Sequence, residues 1–162
     1  QPIGPKPRNL NTINKYDNIS QNQLEKMIAH NLIQNVPDLD SIVSTAEWDN
    51  DEFSLNDRAM AYLDINCAHC HNYQGPASTS GLFLDYHETD RKKLGIYKSP
   101  IAAGRGSGGL LFNIVPGKPD ESIFIFRMES TDPGILMPES GRQIVHQEGV
   151  ELIKEWIKSI KN

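Results

Sequence analysis

Cys67-Ala68-His69-Cys70-His71, flanked by Asn66 and Asn72, reads C-x-x-C-H and contains both cysteines of the chain. That spacing is the attachment signature of covalent, c-type haem. Two thiols separated by two residues reach the two vinyl groups of one porphyrin. The adjacent imidazole then approaches the iron from the side of the attached segment, and histidine is the usual proximal ligand of haem iron. Other chemistries use the same residue types. A thioredoxin-like C-x-x-C site requires a surrounding βαβ pattern, which the sequence does not offer. Structural zinc takes four ligands, and a second cysteine pair is missing. His69 and His71 complete a local Cys2His2 set only if ligands crowded at one helix end can become tetrahedral. Covalent haem accounts for both cysteines and follows directly on a predicted helix, so it is the leading expectation.

The 162 residues suit one domain with an arm, and a hydrophobic content of 38% is low for a large core. A buried porphyrin would supply the missing apolar mass. The formal charge of −5 is spread along the chain without a basic stripe, which argues against nucleic-acid binding. No apolar run approaches the length of a membrane span. Haem c is attached outside the cytoplasmic membrane in bacteria, so a periplasmic or cell-surface location is expected. Gln1-Pro2-Ile3-Gly4-Pro5 lacks a basic and then apolar leader. A mature form, or a piece of a longer polypeptide, is therefore expected. With both cysteines carrying haem, no disulfide remains to form.

Two regions are expected, an N-terminal arm with an outer helix over 1–53 and a haem domain over 54–162. Three prolines and few apolar residues predict an extended arm to about Tyr16. Ser20 and Gln23 form a capping-box pattern for a helix carrying Leu24, Met27, Ile28 and Leu32. From Asn35 to Phe53 the chain turns acidic and loop-like, as a wrap around the main domain. Ser54, with Asp57 three residues on, starts the helix that enters Cys67, with Met60, Leu63 and Ile65 as its apolar residues. Gly75 to Gly81 breaks regular structure. Leu82–Leu84 and Leu110–Val115 are short strand candidates, room for a two-stranded β element in a mainly α fold. Gly104-Arg105-Gly106-Ser107-Gly108-Gly109 lacks the Lys-Ser/Thr ending of a phosphate loop, and a flexible loop near a cofactor edge is expected instead. Pro119 suits the first position of a helix running to about Met128. The last helix covers about Gln147 to Ile160, with Val150, Ile153, Ile157 and Ile160 on one face beside Trp156.

A helix entering C-x-x-C-H, an irregular middle and a terminal amphipathic helix together resemble a class I c-type cytochrome over roughly Ser54 to Asn162. The resemblance implies the fold of that family around one haem, with the helix before the motif crossing the last helix. It places Ala59 and Leu63 at the crossing, against Ile153 and Trp156. More loosely, PIGPKPRNL, NCAHCHN, the GL-x-L of Gly81 to Leu84, VPGKPDES, DPGILMPESGR and GVELIKEWI are similar to a family of exported bacterial cytochromes. That likeness implies no substrate, and it suggests the C-terminal haem portion of a longer polypeptide.

His71 takes one axial position, and low-spin electron-transfer cytochromes close the other, often with a methionine sulfur. Met137 sits in the extended stretch Gly134-Ile135-Leu136-Met137-Pro138, and Pro138 restrains it towards an extended conformation. It also stands where many class I cytochromes carry a Met-Pro ligand. Met128, at a helix end, is the runner-up; Met60 and Met27 are expected to pack in helices. His30, His87 and His146 are minor candidates, and His69 should point away from the iron. The other nitrogen of His71 should donate to a backbone carbonyl, with Pro76 near enough to offer one. Arg105, Arg127 and Arg142 are candidates for holding the propionates or are solvated surface charges. Trp156 either packs on the haem edge or seals the helix crossing.

The function these residues lead one to expect is one-electron transfer by a single haem c between redox protein partners, with no bond-making catalysis. Two alternatives are a haem with a displaceable distal ligand, acting as a peroxidase or gas sensor, and an electron-transfer module of a larger oxidoreductase. The sequence does not indicate an oligomeric state.

Overall fold

The computed structural model describes residues 5–161, so the first four residues of the expected arm lie outside the described residues. Regular structure is mostly helical: five α-helices and one two-stranded antiparallel sheet among the described residues. The chain divides into two compact units, 5–47 and 48–161, so that Trp48 to Phe53, expected with the arm, belongs to the second.

The first unit contains α1 (Pro7–Leu10), β1 (Ile13–Tyr16), β2 (Ile19–Asn22) and α2 (Gln23–Ala29). The expected extended arm is thus partly folded, as a short helix and a hairpin. Asp17, at a φ of +50°, reverses the chain so that Tyr16 pairs with Ile19. Aspartate tolerates that left-handed conformation better than most side chains. Ser20 lies in β2 opposite Lys15 and caps nothing. The cap of α2 is Asn22, whose side-chain oxygen accepts from the backbone N–H of Leu24 (2.8 Å) and Glu25 (3.4 Å). The capping-box pattern was outcompeted because Asn22 combines a strong capping side chain with a position at a strand end. Asn11 ties the return loop to this unit, its amide donating to the Ile42 carbonyl (2.7 Å) and its carbonyl accepting from Ser44 Oγ (2.6 Å).

The second unit holds α3 (Leu55–Asn66), α4 (Ile123–Glu129) and α5 (Gln147–Ser159). Ser54 caps α3 as expected, accepting from the Asp57 N–H and donating to its carboxylate. Residues Ala59 to Asp64 are all buried, so α3 is covered around its whole circumference. It packs on α5, and Ala59, Leu63, Ile153 and Ile157 are solvent-free at their shared core. Trp156 seals this crossing from one side, its indole N–H donating to Asn56 Oδ1 at 3.1 Å. Gly149 seals the other: a Cβ there would overlap the Tyr62 ring and hydroxyl.

Two expectations fail in the middle of the chain. Leu82–Leu84 and Leu110–Val115 form no strand. Phe83 N–H donates to Lys93 and Leu84 N–H to His71, so neighbouring residues bond to different irregular segments. Residues 110–115 contribute only isolated bridges, Ile96 with Ile114 and Phe112 with Ser122. The helix predicted from Pro119 to Met128 is split into a 3-10 turn, Pro119–Glu121, and α4. The fully buried Ser122 causes the break. Its hydroxyl donates to the Lys118 carbonyl and accepts the Val115 N–H, both at 2.9 Å, which competes with helical backbone bonding.

Candidate functional site

α3 ends at Asn66 and the chain continues directly into the cysteine-histidine turn. The Cys67 and Ala68 N–H groups both donate to the Leu63 carbonyl, and the Cys67 carbonyl accepts from Cys70 (3.1 Å) and His71 (2.9 Å). Cys67, Cys70 and His71 therefore stand on one tight turn at a helix end. Asn72 closes it, donating to the carbonyls of Ala68 (2.6 Å) and His69 (3.3 Å). Gly75 lets the following loop fold back, because a Cβ there would overlap the Cys70 carbonyl.

His71 is half-buried and its ring is oriented by that returning loop. Nδ1 lies 3.3 Å from Ser80 Oγ, and the His71 carbonyl accepts from Leu84 N–H. The expected partner was a backbone carbonyl; a side-chain hydroxyl stands there instead. Burial and the nearby Arg127 guanidinium lower the His71 pKa, with His69 adding to the effect and Glu139 opposing it. Arg127 and Glu139 are thus close enough to act on the imidazole. His69 Nδ1 is buried without a hydrogen-bond partner.

Arg127 braces the loop that carries Met137. Its backbone carbonyl accepts the Met137 N–H (3.1 Å), while its Nε donates to the Ile135 carbonyl (2.8 Å). Arg142 donates from the other side to the carbonyls of Met128 and Ser130. Arg105 makes a two-pronged pair with Asp132 at 2.9 and 3.1 Å, on the exposed rim. All three arginines considered for propionates are engaged in bracing residues 127–142. Their contributions differ. An exposed pair such as Arg105–Asp132 adds about 0–1 kcal/mol. A guanidinium donating to part-buried carbonyls is worth about 1.5–3 kcal/mol, so Arg127 and Arg142 dominate.

The glycine-rich segment is part of the same brace. Gly104–Ser107 forms a 3-10 turn packed on α4. A Cβ on Gly106 would lie 3.3 Å from the Arg127 guanidinium carbon, and one on Gly108 only 2.7 Å from the Phe126 ring. Two flat side chains of α4 thus lie directly against backbone at Gly106 and Gly108, while Gly104 and Gly109 take positive φ in open space, so turn conformation and packing account for the glycines.

Met137 is half-buried on this braced loop, whereas Met128 and Met60 are buried members of the α3–α5 core and Met27 lies in α2. His30 caps the C-terminal end of α2, and His87 is exposed against Tyr86. His146, at the N-cap of α5, stacks on Tyr62, with Nδ1 3.2 Å from the phenol oxygen. Trp48 packs edge-on to both rings. This aromatic cluster was not anticipated; the sequence signals were a tyrosine five residues before Cys67 and a glycine inside α5. The Tyr62 phenol is pushed up to about 12 by burial, with Cys67 adding and Arg142 opposing, which places the cluster beside the first cysteine.

Cys67 is not placed as an activated redox thiol. Desolvation, with Cys70 adding to it, pushes the Cys67 thiol up from 9.0 to about 12. An acid raised in this way stays neutral through physiological pH, the opposite of an activated redox cysteine. Alkylation of Cys67 in the haem-free folded chain at pH 8 is therefore expected to be at least ~100-fold slower than that of an exposed cysteine. Mass mapping of the modified chain checks this, and modification at the exposed rate contradicts it. Among the described residues, no group of three or more His, Cys, Asp or Glu side chains is gathered to hold a metal ion. No helix there is long and apolar enough to cross a membrane.

No family model, curated protein or solved structure matches the chain. Its chemistry is therefore read from the site alone. The donor set suits haem c: two thiols on one turn, an imidazole held through Nδ1 so that Nε2 is the nitrogen left to ligate, and a thioether on a fixed loop. Arg127 belongs to the surroundings of both prospective ligands.

Proposed function

We propose that this chain is a c-type cytochrome with one haem, passing single electrons between redox protein partners outside the cytoplasm. The attachment turn carries the proposal. Cys67, Cys70 and His71 stand on one hydrogen-bonded turn at the end of α3, and a second candidate ligand, Met137, is tied through its backbone N–H to the Arg127 carbonyl. Bound haem would supply a one-electron couple at iron. Cys67 and Cys70 would anchor it through thioethers, and His71 and Met137 would ligate its iron. The class I cytochrome fold belongs to the same proposal, supported by the α3–α5 crossing next to the attachment turn.

The protein's own work in this scheme is to hold still. A loop braced by Arg127 and Arg142 keeps the thioether in one place in both oxidation states, which limits reorganisation on electron transfer. With both His71 and Met137 ligating the iron, no coordination site would remain for a substrate. Electron-transfer partners would dock weakly and briefly over a small area. Optical spectra of the oxidised and reduced protein test the reading. A low-spin c-type spectrum with a methionine-to-ferric-iron band, unaffected by carbon monoxide, is the expected result. Rapid stoichiometric carbon monoxide binding by the reduced wild type would instead favour a gas sensor or peroxidase.

A further inference from the structure

We infer that Tyr62 and His146 form a redox site of their own, at which loss of one electron from the phenol sends its proton to the imidazole. The site goes beyond electron transfer at a haem and does not depend on it. The phenol oxygen lies 3.2 Å from His146 Nδ1, and the two rings are stacked with 5.7 Å between centroids. His146 Nε2 faces the Glu148 carboxylate at 3.7 Å. An ionised carboxylate only accepts, so the neutral imidazole keeps its hydrogen on Nε2 and leaves Nδ1 with a lone pair. The phenol is then the donor, and its proton already points at the base that takes it. Gly149 makes the approach possible, because a Cβ there would overlap the Tyr62 hydroxyl.

Removing an electron from a phenol makes its proton strongly acidic, so a positioned base speeds the oxidation. Tyr62 is 8% exposed, which keeps bulk water from serving as that base. Prior ionisation is closed as well, since burial, with Cys67 adding and Arg142 opposing, pushes the phenol up to about 12. The O–H bond breaks as an N–H bond forms at Nδ1, and the electron leaves to a strong one-electron oxidant of the peroxide-derived radical class. The products are a neutral tyrosyl radical, an imidazolium and the reduced oxidant; return of one electron takes the proton back to oxygen. The imidazolium forms beside Glu148, which opposes the unfavourable Arg142 charge and the positive N-terminal end of α5. Trp48 supplies a route outwards. It is half-buried and edge-on to both rings, 6.3 Å from Tyr62 and 5.0 Å from His146, and its carbonyl accepts from Arg58 Nε at 2.8 Å.

The full chain and its Tyr62→Phe and His146→Asn variants, with any haem in the ferric form, are oxidised by a flash-generated ruthenium(III) polypyridyl complex and followed by electron paramagnetic resonance. Phenylalanine keeps the ring and removes the hydroxyl; asparagine has no basic nitrogen but is a good N-cap. The expected result is a long-lived tyrosyl signal in wild type, absent from Tyr62→Phe and forming at least ~10-fold more slowly in His146→Asn. The same signal in Tyr62→Phe, an unchanged rate in His146→Asn, or no tyrosyl signal in wild type overturns the inference. If a variant does not fold, wild type with isotope-labelled histidine decides. A tyrosyl radical coupled to a histidine nitrogen through an exchangeable proton supports the pair, and a radical without that coupling overturns it. If wild type carries no haem, the functional reading fails separately, and the same measurement on that haem-free full chain still decides this one.

Discussion

Met137→Ala is expected to lower the reduction potential and to let the reduced protein bind one carbon monoxide per chain, where wild type binds none. Alanine offers no donor atom, so the sixth position opens; loss of methionine ligation also removes the contribution that raises potential in Met/His cytochromes. Stability should change little, because Met137 is half-buried on a loop outside the α3–α5 core. Met128→Ala should do the reverse. Met128 is 9% exposed and packs in that core, so its truncation costs about 2–4 kcal/mol and leaves the methionine-to-iron band in place. Spectra and denaturant melts of both variants separate the roles. Loss of the band in Met128→Ala alone would reverse the ligand assignment.

Gly149→Ala is expected to destabilise the protein by about 2 kcal/mol, where the same change on an open helix surface would stabilise it by about 1 kcal/mol. The sign is set by contact. A Cβ at Gly149 overlaps the Tyr62 hydroxyl and ring, and Tyr62 is fixed between α5, Trp48 and His146. The α3–α5 crossing would have to open, and α3 leads straight into Cys67. Combining the change with Tyr62→Leu should recover part of the loss, as the smaller side chain clears the glycine. Chemical denaturation of the single and double variants measures this. A stabilised Gly149→Ala would mean that the two helices do not meet there.

Much of this framework was legible because it is local or strongly periodic. The Ser54 cap, α3 running into Cys67, and α5 with its apolar face all follow from neighbours within a few residues. The hairpin at Ile13–Asn22 was missed because its signal, Asp17-Asn18 between short mixed strands, is weak beside a capping-box pattern that begins at Ser20. Leu82–Leu84 read as a strand from apolar composition, but a strand needs a partner segment, and its N–H groups bond to His71 and Lys93. The break at Ser122 depends on a buried hydroxyl bonding to Lys118 and Val115. In the site, residue types were legible and their partners were not. Arg105, Arg127 and Arg142 were recognisable as cations in search of acceptors. That all three brace one loop depends on Asp132 and on the carbonyls of Met128, Ser130 and Ile135, which only the folded chain brings within reach.

The intact mass of the denatured protein, after expression with haem-attachment machinery and acid extraction, tests the central claim most directly. A chain heavier than its sequence by one haem, still coloured and carrying the added mass on the peptide containing Cys67 and Cys70, is the predicted result. A colourless chain at the bare sequence mass would contradict it.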